Sequence, residues 1–181
     1  MTMFYLVRHG EVTYGPVNKR NFIGHGRDLA PLTENGIMQL KESAKDHRLK
    51  DCEIIVSSPY TRALQSAAII SKELSLDIDV DVDLHEWLPD NTFMFKTSEE
   101  AIALCNDYNL CKGVYPKNEE RKWETTVSMK NRMERVLEKY HAFNKVIVVC
   151  HGMVINAITG MDIDRNVKNG EIIEYCYGDC K

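Results

Sequence analysis

Long apolar runs and CxxC motifs are missing from this chain of 181 residues. No stretch is long enough to cross a bilayer, and the apolar run at the start is too short for the core of a signal peptide. None of the six cysteines forms a CxxC motif, and a chain of this length does not need disulfides in order to fold. These absences predict a cytoplasmic protein with reduced thiols and no membrane partner.

An excess of positive charge is also missing, since the formal net charge is −4. Nucleic acid is therefore not expected as a partner, and any anion site must be a local basic pocket. Two cysteine pairs could each supply half of a metal site, but their spacings are poor for zinc, so neither a metal nor a cofactor is expected. The pairs are Cys105 with Cys111 and Cys176 with Cys180.

Internal repeats, low-complexity tracts and interdomain linkers are absent, so one domain is expected over residues 1–181. Apolar runs alternate with segments of helical spacing. This pattern predicts an α/β protein, a three-layer α/β/α sandwich with a largely parallel central sheet. The irregular segment at about 87–125 is expected to be a partly helical insertion that covers the functional site of this domain.

Two local predictions concern residues 58–59 and residues 77–84. Ser58-Pro59 follows an apolar run and predicts a helix with Ser58 as its N-cap. Residues 77–84 alternate between acidic and aliphatic side chains, which predicts a half-buried edge strand with its aspartates in solvent. A metal cluster of these aspartates is the alternative, which the strict period of two disfavours.

Three apolar runs lead into residues that suit phosphate chemistry. The first ends in Arg-His-Gly at residues 8–10, the second shortly precedes Arg62, and the third leads to the His-Gly pair at 151–152. Ligands bind at strand ends in α/β proteins, and the planar arginine fork binds two phosphate oxygens. A neutral histidine, fixed cations and an acid are what phosphoryl transfer to a histidine requires.

With these stretches in view, the chain resembles the histidine phosphatase superfamily, also called the phosphoglycerate-mutase-like superfamily. The resemblance implies a phosphoglycerate-mutase-like fold in which the nucleophile His9 forms a phosphohistidine. It implies that Arg8, Arg62 and the catalytic His151 bind the phosphoryl group, and that Glu86 donates the proton. The matching segments follow the family's order: RHGE at 8–11, PLTENG at 31–36, SSPYTRA at 57–63, HEW at 85–87 and VVCHG at 148–152.

Several assignments stay open beside this set. The proton donor could instead be a neighbour of Glu86, namely Asp83, His85 or Asp90. Many relatives carry a threonine after RHGE and an asparagine six residues after the nucleophile, where this chain has Val12 and Gly15. The missing polar contact could come from Asn18, Arg20 or Asn21, and Arg20 is also a candidate to bind a second anion of the substrate. His25, His47 and His141 are expected to be surface residues.

The expected activity is metal-independent hydrolysis of a small phosphorylated metabolite through a phosphohistidine. The chain is shorter than typical phosphoglycerate mutases, which favours the phosphatase branch. A mutase with the same chemistry and a non-catalytic module that binds phospho-ligands are the alternatives. The substrate stays open among sugar phosphates, phosphoglycerate, a cobalamin-precursor phosphate and phosphoproteins.

Overall fold

The computed structural model describes residues 1–178, in which five strands form one sheet. In the order β3-β2-β4-β1-β5, every neighbouring pair is parallel except β1 with β5. The predicted largely parallel sheet is therefore confirmed. The strands are β1 (Thr2–Arg8), β2 (Ile54–Ser57), β3 (Ile78–Val80), β4 (Lys145–Cys150) and β5 (Ile172–Tyr177).

Helices cover both faces of this sheet, which confirms the predicted sandwich. Along β1, Tyr5 and Val7 pack in one apolar cluster with residues of α2 and α3. Phe4 and Leu6 point to the other face and pack with residues of α5 and α6. Successive side chains of a strand point to opposite faces, so a buried central strand serves both layers. The helices are α1 (Gly15–Lys19), α2 (Glu34–Ser43), α3 (Thr61–Leu74), α4 (Ser98–Leu110), α5 (Thr126–Lys139) and α6 (Gly152–Thr159).

Membrane crossing requires a helix that is both long and strongly apolar, and residues 1–178 contain none.

The predicted helix cap at Ser58 is wrong. Helix α3 begins at Thr61, and its N-cap is Tyr60, which makes no side-chain cap. The Ser58 hydroxyl instead lies 2.8 Å from Nε2 of His151. The Ser58 hydroxyl therefore bonds to a residue distant in sequence, His151, and does not cap the helix.

The segment 77–84 lies at the sheet edge as predicted, and Leu84 is buried as predicted, but the other aliphatic residues and Asp81 do not follow the predicted faces. Only Ile78–Val80 is a strand, and all three of its residues are exposed. Asp81 is only 6% exposed and accepts a hydrogen bond from Lys139 Nζ at 2.6 Å. Because Lys139 of α5 binds Asp81, this aspartate faces the protein, whereas Ile78, Val80 and Val82 are exposed.

The prediction of reduced thiols fails at Cys176, which is disulfide-bonded. This residue lies on the edge strand β5 and is only partly buried, so the core does not enclose its sulfur. Cys180 lies outside the described residues. The free thiols of Cys105 and Cys111 belong to no group of three metal-ligand side chains within residues 1–178.

Candidate active site

The candidate site lies where β1 and β4 end side by side. Arg8 pairs with Cys150 in the parallel register, and the His9 amide donates to the Cys150 carbonyl at 3.1 Å. His9 and His151 follow these strand ends, so their ring centroids lie 5.1 Å apart. The sheet register alone therefore brings two histidines from distant parts of the chain together.

His9 is buried and held in one tautomer. Its Nδ1 lies 2.8 Å from the carbonyl of Gly10, which can only accept, so Nδ1 carries the proton. The lone pair is then on Nε2, which makes no hydrogen bond within residues 1–178. Burial, followed by the nearby charge of Arg62, lowers the pKa of His9 to about 3. The ring is therefore neutral at neutral pH, as a nucleophile must be.

Arg8 and Arg62 bring two cations to the histidine pair. One terminal nitrogen of Arg8 donates to the Val167 carbonyl and to Asn166 Oδ1, while its Nε is buried without a partner. Arg62 lies in the first turn of α3, is buried, and donates to Asp28 Oδ1 at 3.2 Å. Each guanidinium has five N–H groups, so these anchors leave donors for an anion.

His151 and Glu86 complete the cluster. His151 is fully buried, and its Nδ1 has no hydrogen-bond partner and lies 3.8 Å from Glu86 Oε2. Burial, followed by Arg62, holds the pKa of His151 well below its usual range. Burial also raises the pKa of Glu86, although Arg62 and Arg8 oppose the rise. The centre thus combines neutral imidazoles with a carboxyl group that retains its proton more readily than usual.

The loop that carries Glu86 is clamped by a buried ion pair. Arg132 of α5 makes two hydrogen bonds to the Glu124 carboxylate, at 2.8 and 3.0 Å. Arg132 also donates to the backbone carbonyls of residues 83 and 85, just before Glu86. The Glu124 carbonyl accepts from Trp87 Nε1, just after it. The residues before and after Glu86 are therefore both hydrogen-bonded to the Arg132–Glu124 pair.

The alternatives to Glu86 are occupied elsewhere. The Asp83 carboxylate pairs with Arg135, and Asp90 accepts from the amide and hydroxyl of Thr92. His85 Nδ1 lies 2.7 Å from the carbonyl of Glu86. Of the four candidates, only Glu86 lies beside His151, at the distance given above.

Arg20 is not brought to this cluster. It is exposed, and its guanidinium donates to the Pro16 carbonyl at 3.0 Å within its own segment. Arg27, another basic residue of the same loop, is buried and lines the cleft beside Arg62. His25 is exposed as predicted, yet it also lines this cleft.

Two family segments hold the loop after His9 in place. Glu11 accepts hydrogen bonds from Thr33 Oγ1 at 2.8 Å and from Asn35 Nδ2 at 2.9 Å, so RHGE is tied to PLTENG. A Cβ on Gly10 would lie 2.5 Å from the Gly36 carbonyl oxygen. A glycine is therefore required where the loop packs against the start of α2.

Two further polar residues position the centre and were missed in the sequence analysis. Ser66 Oγ accepts from the Gly10 amide at 3.2 Å and donates to the Arg62 carbonyl at 2.7 Å. Asn169 Nδ2 donates to the His9 carbonyl at 2.9 Å. Helical spacing from Arg62 places Ser66 one turn along the same face, but no sequence signal marks Asn169 in its loop.

Two clefts open at Glu86, one of about 350 Å³ on the Arg62 side and one of about 380 Å³ on the Arg8 side. Between them, ligand atoms of His9, Glu86 and His151 lie within 4.8 Å of one another and could hold a metal ion. Arg62, whose charge already lowers the pKa of both histidines, disfavours another cation here. The arrangement suits a tetrahedral oxyanion better.

The fold and this cluster define an enzyme of the phosphatase and phosphoglycerate-mutase class, and comparison with known proteins agrees. Residues 4–176 match the family model of the histidine phosphatase superfamily (branch 1), so the chain belongs to this superfamily. It is 30% identical over 158 residues to the uncharacterized phosphatase PhoE of Bacillus subtilis (strain 168), covering 87% of this chain and 76% of PhoE.

Other similar proteins are named as a probable mutase and as a phosphatase. The chain is 26% identical to the probable phosphoglycerate mutase GpmB of Proteus mirabilis (strain HI4320), over 87% of this chain and 73% of that protein. A mycobacterial glucosyl-3-phosphoglycerate phosphatase, solved in complex with VO3, has the same fold. Its TM-score is 0.72 at 18% identity, with 96% of this chain and 90% of that chain covered.

Proposed function

We propose that this protein is a metal-independent phosphomonoester hydrolase that acts through a phosphohistidine at His9 on a small phosphorylated metabolite. One observation carries the proposal. Arg8 Nε and His151 Nδ1 are buried without partners around the free lone pair of His9 Nε2. Buried donors without partners are costly, and the oxygens of a phosphoryl group would satisfy them.

In the first step His9 Nε2 attacks phosphorus, and the bond to the leaving oxygen breaks. The protonated Glu86 carboxyl gives its proton to that oxygen, which leaves as an alcohol. The imidazole then carries the phosphoryl group on Nε2 and its proton on Nδ1, where the Gly10 carbonyl accepts it. This hydrogen bond stabilises the positive ring, and Arg8 and Arg62 balance the phosphoryl oxygens.

In the second step the Glu86 carboxylate takes a proton from water, and the resulting hydroxide attacks phosphorus. The N–P bond breaks, phosphate leaves, and both His9 and Glu86 return to their starting protonation states. His151 assists in both steps by donating from Nδ1 to a phosphoryl oxygen, because the Ser58 hydroxyl can donate to its Nε2. The arginines supply the positive charge that a metal provides in other phosphatases.

We further propose that the chain works as one histidine phosphatase domain and that its insertion at about 87–125 covers the active site. Support comes from Trp87, Phe93 and Phe95, which line the cleft beside Arg62. A cytoplasmic location stays a prediction from the sequence.

The test is phosphate release from a panel of phosphorylated metabolites and p-nitrophenyl phosphate, with and without EDTA. We expect release that survives EDTA and that vanadate inhibits, since vanadate adopts the five-coordinate geometry of the transfer step. Isomer formation without net phosphate release would favour the mutase. Loss of activity on chelation, restored by a divalent ion, would refute the metal-free mechanism.

A further inference from the structure

The cleft on the Arg62 side is lined mainly by aromatic and aliphatic side chains. Its volume is about 350 Å³, and five aromatic side chains line it: Tyr14, Tyr60, Trp87, Phe93 and Phe95. A small polar alcohol such as a glycerate would leave these rings in contact with water. A flat, apolar leaving group would cover them and gain from their burial.

Arg27 lines the same cleft and forms no ion pair with a carboxylate within residues 1–178. Among residues 1–178, three arginines are buried, and two of them have carboxylate partners: Arg62 binds Asp28, and Arg132 binds Glu124. Arg27 is 8% exposed, and its hydrogen-bond and ring partners are neutral. They are Asn18 Oδ1 at 3.1 Å, Ser98 Oγ at 2.6 Å and the Tyr14 ring at 5.4 Å. The carboxylate of Glu99 interacts with the charge of Arg27, but Glu99 is exposed and forms no ion pair with it.

A buried cation that forms no ion pair is unfavourable, so an anion supplied by the substrate would be bound favourably there. The hydrogen bonds to Asn18 and Ser98 also fix the guanidinium, which reduces the entropy lost when an anion binds. Arg62 already belongs to the phosphoryl centre. Arg27 is therefore available for a second anionic group on the leaving alcohol.

We propose that this cleft selects phosphomonoesters of aromatic or flat apolar alcohols that carry a second anionic group, and that Arg27 binds this group. The proposal rests on the hydrolase activity proposed above and names its substrate class. It assigns to Arg27 the second-anion role that the sequence suggested for Arg20.

The test uses pairs of substrates whose leaving groups have similar acidity. 4-(Carboxymethyl)phenyl phosphate is compared with its methyl ester, which differs by one negative charge. Benzyl phosphate is compared with 2-hydroxyethyl phosphate, which lacks the ring. We expect kcat/KM to favour the carboxylate over its ester at least tenfold, the size of one charge-assisted hydrogen bond. Benzyl phosphate should be favoured at least tenfold over its partner.

Arg27→Gln should bring the carboxylate preference close to one while retaining hydrolysis of the methyl ester, which shows that the variant is folded. Arg27→Lys should retain part of the preference. Lys19→Gln, which removes an exposed charge from the same segment, should retain all of it.

Equal rates for the carboxylate and its ester would overturn the role of Arg27. Equal rates for benzyl and 2-hydroxyethyl phosphate would overturn the aromatic selection. Both results would leave the hydrolase itself intact. If p-nitrophenyl phosphate and all four esters release no phosphate, the proposed function fails, and the substrate class falls with it.

Discussion

The phosphoryl centre and the aromatic cleft beside it are built in different ways. His9 and His151 follow paired ends of central strands and are buried. Apart from Tyr60 and Arg62, the cleft wall comes from residues 14–28 and 86–102, which form turns and helical segments, and Phe93 and Ile102 are exposed there. The difference teaches that the sheet fixes the chemistry, whereas loops that can vary without disturbing the sheet set the choice of substrate.

Replacing an arginine should therefore lower kcat/KM for a simple phosphomonoester far more in the phosphoryl centre than in the aromatic cleft. We expect Arg62→Gln to lower kcat/KM for p-nitrophenyl phosphate about 10²–10⁴-fold, because two charge-assisted hydrogen bonds to the phosphoryl group are lost. The matched variant Arg27→Gln should change it less than about threefold, since this substrate has no second anion. Steady-state kinetics on both variants measure the two losses. Similar losses of kcat/KM would contradict the distinction between the phosphoryl centre and the cleft.

Removal of the acid should give a loss that depends on the leaving group. Glu86→Gln should slow hydrolysis of benzyl phosphate about 10²–10⁴-fold and that of p-nitrophenyl phosphate much less. An alkoxide needs the proton in the transition state, whereas p-nitrophenolate is a weak base. An equal loss on both substrates would mean that Glu86 positions the phosphate and is not the acid.

Weakening the Arg132–Glu124 pair that holds the Glu86 loop should also slow hydrolysis in a way that depends on the leaving group, but by a smaller factor. Arg132→Lys keeps the buried positive charge but loses the bidentate hydrogen bonds to the Glu124 carboxylate. Glu86 should therefore be held less precisely. We expect benzyl phosphate hydrolysis to fall about tenfold and p-nitrophenyl phosphate hydrolysis to fall less. Arg135→Lys, an exposed change on the same helix, is the control. A uniform loss on both substrates would show a purely structural role.

Acid should destabilise the centre, because it is built from neutral histidines. The unfolded chain binds a proton at His9 below pH ~6.5, but the folded chain does so only below a pKa of about 3. The free energy of unfolding should therefore fall as the pH drops through this window. His9→Gln should flatten the fall by up to about 1.4 kcal/mol for each pH unit. Urea unfolding from pH 7 to pH 4 measures this slope.

An unchanged slope for His9→Gln would contradict the low pKa of His9 and, with it, the neutral nucleophile.

The same contrast explains how far the sequence predicts this molecule. Apolar periodicity identifies the strands, and strand ends in a parallel sheet converge, so Arg8, His9 and His151 could be predicted to meet. The Ser58 hydroxyl could not be assigned, because its partner His151 is supplied by a distant strand. The faces of residues 77–84 depend on polar groups of α5 that no local pattern contains.

Arg20 and Arg27 show the same limit in the loop. Both are arginines in one irregular segment, and only its three-dimensional path exposes the first and buries the second. Loop paths follow from many weak contacts, so the cleft, unlike the centre, had to be seen in the structure.

Trapping of the intermediate tests the central claim most directly. The protein would be mixed with p-nitrophenyl phosphate, quenched in alkaline detergent during turnover, and mapped by mass spectrometry. The account predicts an acid-labile phosphoryl group on His9 that is absent from His9→Gln, which should also lack turnover. A phosphoryl group on another residue, or substantial turnover by His9→Gln, would contradict it.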